Sequence, residues 1–163
     1  MINLGYACQL IENNKIISCS YTCTMKTINK GNYINSLINK SNQNLDNLFY
    51  ILNYNLNNNI NFFRISASLI PFTSLNWDYK NILIKKFYKL SNLIINNDFR
   101  LDIHANHFTV LNSLNNIVVN NSIKELNHLY NIMNLLKIKN PKIILHVGSS
   151  KPNKEEAINR FIR

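Results

Sequence analysis

RLDIHANHFTVLNS, residues 100–113, starts like a buried strand and ends in polar and aromatic residues. Leu101, Asp102 and Ile103 alternate in polarity and His104 follows; His107 and Phe108 come after the alternation has broken. Strand interiors favour β-branched and aromatic residues, and polar clusters mark strand ends. The pattern therefore predicts a strand whose last residue is His104. Asn106, His107 and Phe108 then fall on the loop beyond it.

Three further runs have the same length and the same polar or proline boundaries: INLGYAC (2–8), NFFRIS (61–66) and KIILHV (142–147). With FRLDIH (99–104) they make four predicted strands. Between them the apolar residues change period. Leu45, Leu48, Phe49, Ile51 and Leu52 recur at helical spacing, as do Ile82 to Ile94 and Val118 to Leu136. Strands alternating with helices imply an α/β fold with a parallel sheet and right-handed crossovers. Parallel α/β folds collect function where the strands end at their carboxyl side. Polar residues gather there in this chain: Tyr6 and Gln9, Ser66 and Ser68, His104 with Asn106 and His107, and His146 with Ser149.

Composition narrows the class. The length of 163 residues suits one domain, and 46% hydrophobic residues is a globular value. Asn makes up about one residue in five, several times its average usage. Ile, Lys, Tyr and Phe are raised with it, as AT-rich codons would do, and the Asn residues interleave with periodic Leu and Ile. The net charge of +10 points to a polyanionic partner, although Lys is one of the residues that codon bias raises. The basic residues are spread out and form no basic tail. Three cysteines, Cys8, Cys19 and Cys23, suit a reducing compartment, which places the chain in the cytoplasm. Cys19 and Cys23 have a spacing some zinc sites use, without the second pair such a site needs. No segment reaches the roughly 18 apolar residues of a membrane span, and the N-terminus lacks the pattern of a signal peptide.

His104 and His146 each stand at the end of a predicted strand, and those strands should be neighbours. Neutral imidazole is the commonest protein metal ligand, so the two could hold one metal ion; the alternative is a hydrogen-bonded pair. His128 lies mid-helix, at the surface or an interface. Phe108 is either core or an aromatic that stacks on a base. No Ser-His-Asp or Cys-His arrangement is apparent, and HVGSSKPNK has a single Gly where a phosphate loop has several.

Six segments, in order over nearly the whole chain, resemble the UV-damage endonuclease family. INLGYAC resembles its first strand, L-G-Y-x-C, and QNLDNLFYILNYN its following helix. FRISASLIPF and RLDIHANHFTVLNS resemble its second and third strand ends, the latter written R-L-S-x-H-P-x-Q-F/Y. VVNNSIKEL and IILHVGSSKPNKEEAINRF resemble its later segments. The resemblance implies a (β/α) TIM barrel of the xylose-isomerase-like superfamily. It also implies hydrolysis of the phosphodiester 5′ to a UV lesion in double-stranded DNA, using divalent metals: manganese first, magnesium or zinc as alternatives. By position, His104 and His146 would be metal ligands. His107 and Phe108 would fall where the family wedges a Gln-aromatic pair into the duplex, and Tyr6, Arg64, Ser66 and Asn106 would line the DNA side.

Departures accompany the match. Ala105 replaces a Pro, His107 a Gln, and Ser149 a second Gly. The resemblance further implies that the remaining ligands, carboxylates and histidines, come from later strands. Residues 1–163 thus read as the N-terminal half of the domain: an incomplete barrel of about four βα units whose partner would be a missing C-terminal half. The alternatives are a decayed fragment with residual DNA binding, or another barrel enzyme of the superfamily such as an apurinic-site endonuclease. Two imidazoles without carboxylates do not hold a cluster of hard divalent ions.

Overall fold

In the computed structural model, which describes residues 4–162, β1 (Gly5–Ala7) leads directly into an antiparallel hairpin, β2 (Gln9–Glu12) and β3 (Lys15–Ser18). The hairpin turns on Asn13 and Asn14, with φ of 48° and 62°. Two consecutive left-handed residues make the turn whose twist matches paired strands, and Asn tolerates that backbone well. The periodicity had not suggested this hairpin. Residues 2 and 3 of the predicted first strand lie outside the described residues.

A short helix, α1 (Met25–Asn29), precedes the long α2 (Ile34–Asn57). Leu37, Ser41, Asn44, Leu48, Ile51 and Asn55 of α2 are buried. Their three-and-four spacing sets one stripe against the sheet. The helix stops where Asn59 takes φ 56° and the Ile60 N–H turns back to the Asn55 carbonyl at 2.9 Å, a left-handed ending that glycine usually supplies. Asn44 is fully buried and ties two loops to this helix. Its amide nitrogen donates to the carbonyls of Tyr21, Ser68 and Leu69 at 2.8, 3.0 and 3.1 Å, and its oxygen accepts from the Tyr21 N–H at 2.8 Å.

The remaining elements are β4 (Phe62–Ser66), the short α3 (Tyr79–Ile82), α4 (Ile84–Ile95), β5 (Arg100–His104), α5 (Asn116–Leu135), β6 (Lys142–Ile144) and α6 (Lys154–Ile162). Strands β1, β4, β5 and β6 form one sheet in that order, each neighbour parallel to the next. The fold is α/β, an open arc of four βα units of the TIM-barrel kind. No helix among the described residues is long and apolar enough to cross a membrane.

Register sorts the side chains by face, because residues paired across parallel strands point the same way. Tyr6 and Phe63, then Ile65, Ile103 and Ile143, fall on one face. Phe63, Ile65 and Ile103 there are fully buried beneath the helices. Arg64, Asp102 and Lys142 are in register on the other face, as are Ser66, His104 and Ile144. In a barrel this second, more polar face is the inner one, and it carries the site.

Candidate functional site

His104 is the last residue of β5, as the alternation predicted. His146 lies two residues past β6, which ends at Ile144 rather than running to residue 147. The two rings meet: their centroids are 5.0 Å apart with planes at 35°. His104 is half-buried and His146 exposed. The His104 imidazole is held below its ordinary pKa, first by burial, then by the charges of His146 and Arg64. Its neutral, ligand-competent form therefore persists to lower pH. In an NMR titration the His104 ring is expected to show a midpoint under the ordinary imidazole value of about 6.5. A midpoint at or above that value would mean that the ring does not face these charges in solution.

Arg64, on β4, supplies a cation beside this pair. It pairs in register with Ala7 of β1 and Asp102 of β5, and its charge acts to lower the pKa of both the Cys8 thiol and the His104 ring. The Arg64 Nε is enclosed and finds no hydrogen-bond partner among the described residues. Ser66 pairs in register with His104, and its Oγ accepts the Ser68 N–H at 3.1 Å, starting a single turn at Ala67–Leu69. Asp102 shares this face, two residues before His104. It is 3% exposed and Arg100 donates to it at 3.2 Å, so its carboxylate is already engaged.

The loop after β5 is built from both sides. The Ala105 N–H donates to the Ile144 carbonyl at 3.0 Å, a bond that a Pro at this position could not make. Asn106 donates to Glu125 of α5 at 2.9 Å. His107 and Phe108 project beyond, edge to face with centroids 5.4 Å apart, and Phe108 is 62% exposed. Phe108 is thus on the surface and outside the core. His128 is half-exposed on α5.

Tyr6 is placed differently from the expectation. It faces the helix layer, edge-on to Phe63 at 5.1 Å, and its hydroxyl donates to Asn55 of α2 at 2.6 Å. Burial, with the neighbouring Tyr54, pushes its pKa up to about 12. Strand alternation is the reason: Ala7 and Arg64 take the inner face, so Tyr6 takes the outer. Arg64, Ser66, Asn106, His107, Phe108 and the two histidines remain grouped around the carboxyl ends of the strands.

Two residues of this region hold the loops through partners that the sequence does not announce. Asn112, 1% exposed, clamps the loop after His146: it donates to the carbonyls of Ser149 and Ala157 at 2.8 and 3.1 Å and accepts the Ser149 N–H at 2.8 Å. Ser149 is accommodated in this clamp. Glu125, which holds Asn106, is the other. Both act over sequence distances that no local motif spans.

Among the described residues no group of three or more His, Cys, Asp or Glu side chains is placed to hold a metal. The donor set is two imidazoles, which fits part of one ion's coordination sphere and falls short of a cluster.

A parallel α/β arc with paired imidazoles at its carboxyl end, an arginine on the same face and an exposed aromatic on the adjoining loop defines a site of the barrel type. The chain belongs to the UV-endonuclease UvdE family, whose model matches residues 2–163. It is similar to a UV DNA damage endonuclease of Bacillus mycoides (strain KBAB4), 32% identical over 170 residues that cover 99% of this chain and 53% of that protein. A UV DNA damage endonuclease of Clostridium perfringens (strain 13 / Type A) is 32% identical, covering 99% of this chain and 39% of that one. The crystal structure of SacUVDE superposes with a TM-score of 0.87 at 31% identity, over 99% of this chain and 55% of the other. The chain spans about half the length, or less, of these relatives.

Proposed function

We propose that this chain forms the N-terminal, lesion-facing half of a metal-dependent DNA repair endonuclease that works in the cytoplasm on double-stranded DNA with UV lesions. One observation carries the reading: the His104 and His146 rings meet at the carboxyl end of the sheet, with Arg64 on the same face of the neighbouring strand and the exposed Phe108 on the loop that follows His104. In this reading His104 and His146 contribute two neutral nitrogen ligands to a divalent ion, manganese first, magnesium or zinc as alternatives. Such an ion, when bound, lowers the pKa of an attacking water and polarises a phosphate oxygen. Arg64 offers its positive charge to a phosphate. Ser66 and Asn106 shape the adjoining edge, and His107 and Phe108 probe the stack at the lesion. The further ligands required for incision 5′ to the lesion belong to a C-terminal half with which this chain would combine.

DNA binding tests the reading. The chain is expected to bind duplex DNA weakly, with log affinity falling as log salt rises, by roughly 0.9 per phosphate contacted. Phe108→Ala should reduce preference for a duplex carrying a pyrimidine dimer, since stacking contributes about 1–3 kcal/mol per base. Binding to undamaged duplex should be nearly unchanged. Equal loss on both substrates, or affinity indifferent to salt, would remove Phe108 or the charge from the account.

A further inference from the structure

On the helix side of the sheet, away from the histidines, α4 and α5 leave a groove of about 690 Å³ between them. Its walls combine two chemistries. Ile84 and Tyr88 of α4, one helical turn apart, are 51% and 68% exposed, and Phe87 closes the floor. Lys80, Lys85 and Lys137 also line it. No carboxylate does, and among the described residues none of the three lysines forms an ion pair. By contrast Lys86, next in sequence, is paired with Asp46.

We propose that this groove is a docking site for a short acidic, amphipathic peptide segment of a partner protein. Charge complementarity selects the occupant. Unpaired ammonium groups beside exposed apolar surface match a segment that carries carboxylates next to a large apolar side chain, laid into a groove between helices. Intact duplex nucleic acid satisfies only half of this description, because its bases are stacked inside and its phosphates leave Ile84 and Tyr88 without an apolar partner. A second copy is also poorly matched. The chain carries a net charge of +10, and its sole adjacent pair of acidic residues is Glu155–Glu156. The surface lies on the opposite face of the sheet from the imidazole pair, so the proposal does not depend on how that pair is used.

The test uses the 163-residue chain and a dye-labelled synthetic peptide of Asp and Glu interspersed with Leu and Phe, followed by fluorescence anisotropy. Binding on the order of micromolar is expected. Replacing every Leu and Phe of the peptide by Ala should weaken it about tenfold or more. Lys85→Glu and Lys137→Glu should each weaken it about tenfold, and Tyr88→Ala similarly. All three positions are exposed, so circular dichroism should show the variants folded. Unlabelled duplex DNA should compete poorly. The proposal is overturned if the peptide does not bind, if the Ala-substituted peptide binds equally well, if DNA displaces the peptide at matched charge, or if the lysine variants bind it unchanged. Concentration-dependent self-association that Lys85→Glu abolishes, with no peptide affinity, would assign the groove to a second copy instead and overturn it too.

Discussion

Replacing His104 or His146 by Ala is expected to lower lesion-dependent incision roughly a hundredfold or more in a barrel completed with the remaining half of a matched relative. Each substitution removes one of two imidazoles that meet at the strand ends with centroids 5.0 Å apart, and charge stabilisation by a bound ion is worth several kcal/mol, of which each 1.36 is tenfold in rate. His128→Ala in the same chimera should leave incision within about twofold, as is usual for a helix position away from the ligands. The 163-residue chain alone is expected not to incise UV-irradiated duplex with manganese, magnesium or zinc. Hard divalent ions call for several oxygen ligands, and a two-metal site holds its ions about 3.5–4 Å apart. The described residues place no third His, Cys, Asp or Glu beside the imidazole pair; Asp102, on the same face, is turned to Arg100. Incision in metal-containing buffer by the purified chain alone would refute this ligand count. An active His104→Ala chimera would refute the assignment of the ring.

The strands and main helices were legible because their periods differ. Alternation through Leu101, Asp102 and Ile103 fixes which residues of β5 face inward, and so puts His104 on the inner face at the strand end. The first strand gave less. INLGYAC is apolar nearly throughout, so its sequence does not say which side Tyr6 takes. Only pairing with β4 settles that, and it turns Tyr6 to the helices. The hairpin at residues 9–18 was hidden by composition. Asn-Asn is a turn signal against an ordinary background, and in a chain with about one Asn in five it stands out little. The shortened β6 has a third cause. Its last residue still accepts the Ala105 N–H, after which Gly148 takes φ 93° and Asn112 draws the backbone of Ser149 away from the sheet. Contacts between residues 37 and 45 positions apart leave no trace in any window of sequence.

That clamp is where the structure departs furthest from anything its local sequence announces, and its removal should be costly. Asn112→Ala is expected to destabilise the chain by about 3 kcal/mol. Three side-chain hydrogen bonds are lost at a site 1% exposed, at about 1 kcal/mol each, with more for any buried group left unsatisfied. For a chain of this size that is roughly 6–12 °C in Tm. Asn112→Asp keeps the acceptor for the Ser149 N–H but sets a buried carboxylate oxygen against the carbonyls of Ser149 and Ala157, so at neutral pH it should be no more stable than Asn112→Ala. Gly148→Ala attacks the same place from the other side. Its φ of 93° suits glycine, and an added Cβ would stand 2.5 Å from the Asn112 Oδ1. Asn112→Ala removes that obstacle while leaving the backbone strain, so the double variant should lose less than the two single losses added together. Arg160 of α6 donates to the Asn112 carbonyl at 3.1 Å and reaches the Lys151 carbonyl as well. Backbone hydrogen exchange should therefore accelerate in Asn112→Ala at Ser149 and along the start of α6, around Ala157, before it does in the sheet. A Tm within about 2 °C of the parent, under 1 kcal/mol at this size, with Ser149 still protected, would mean that the loop bearing His146 is held by something other than Asn112.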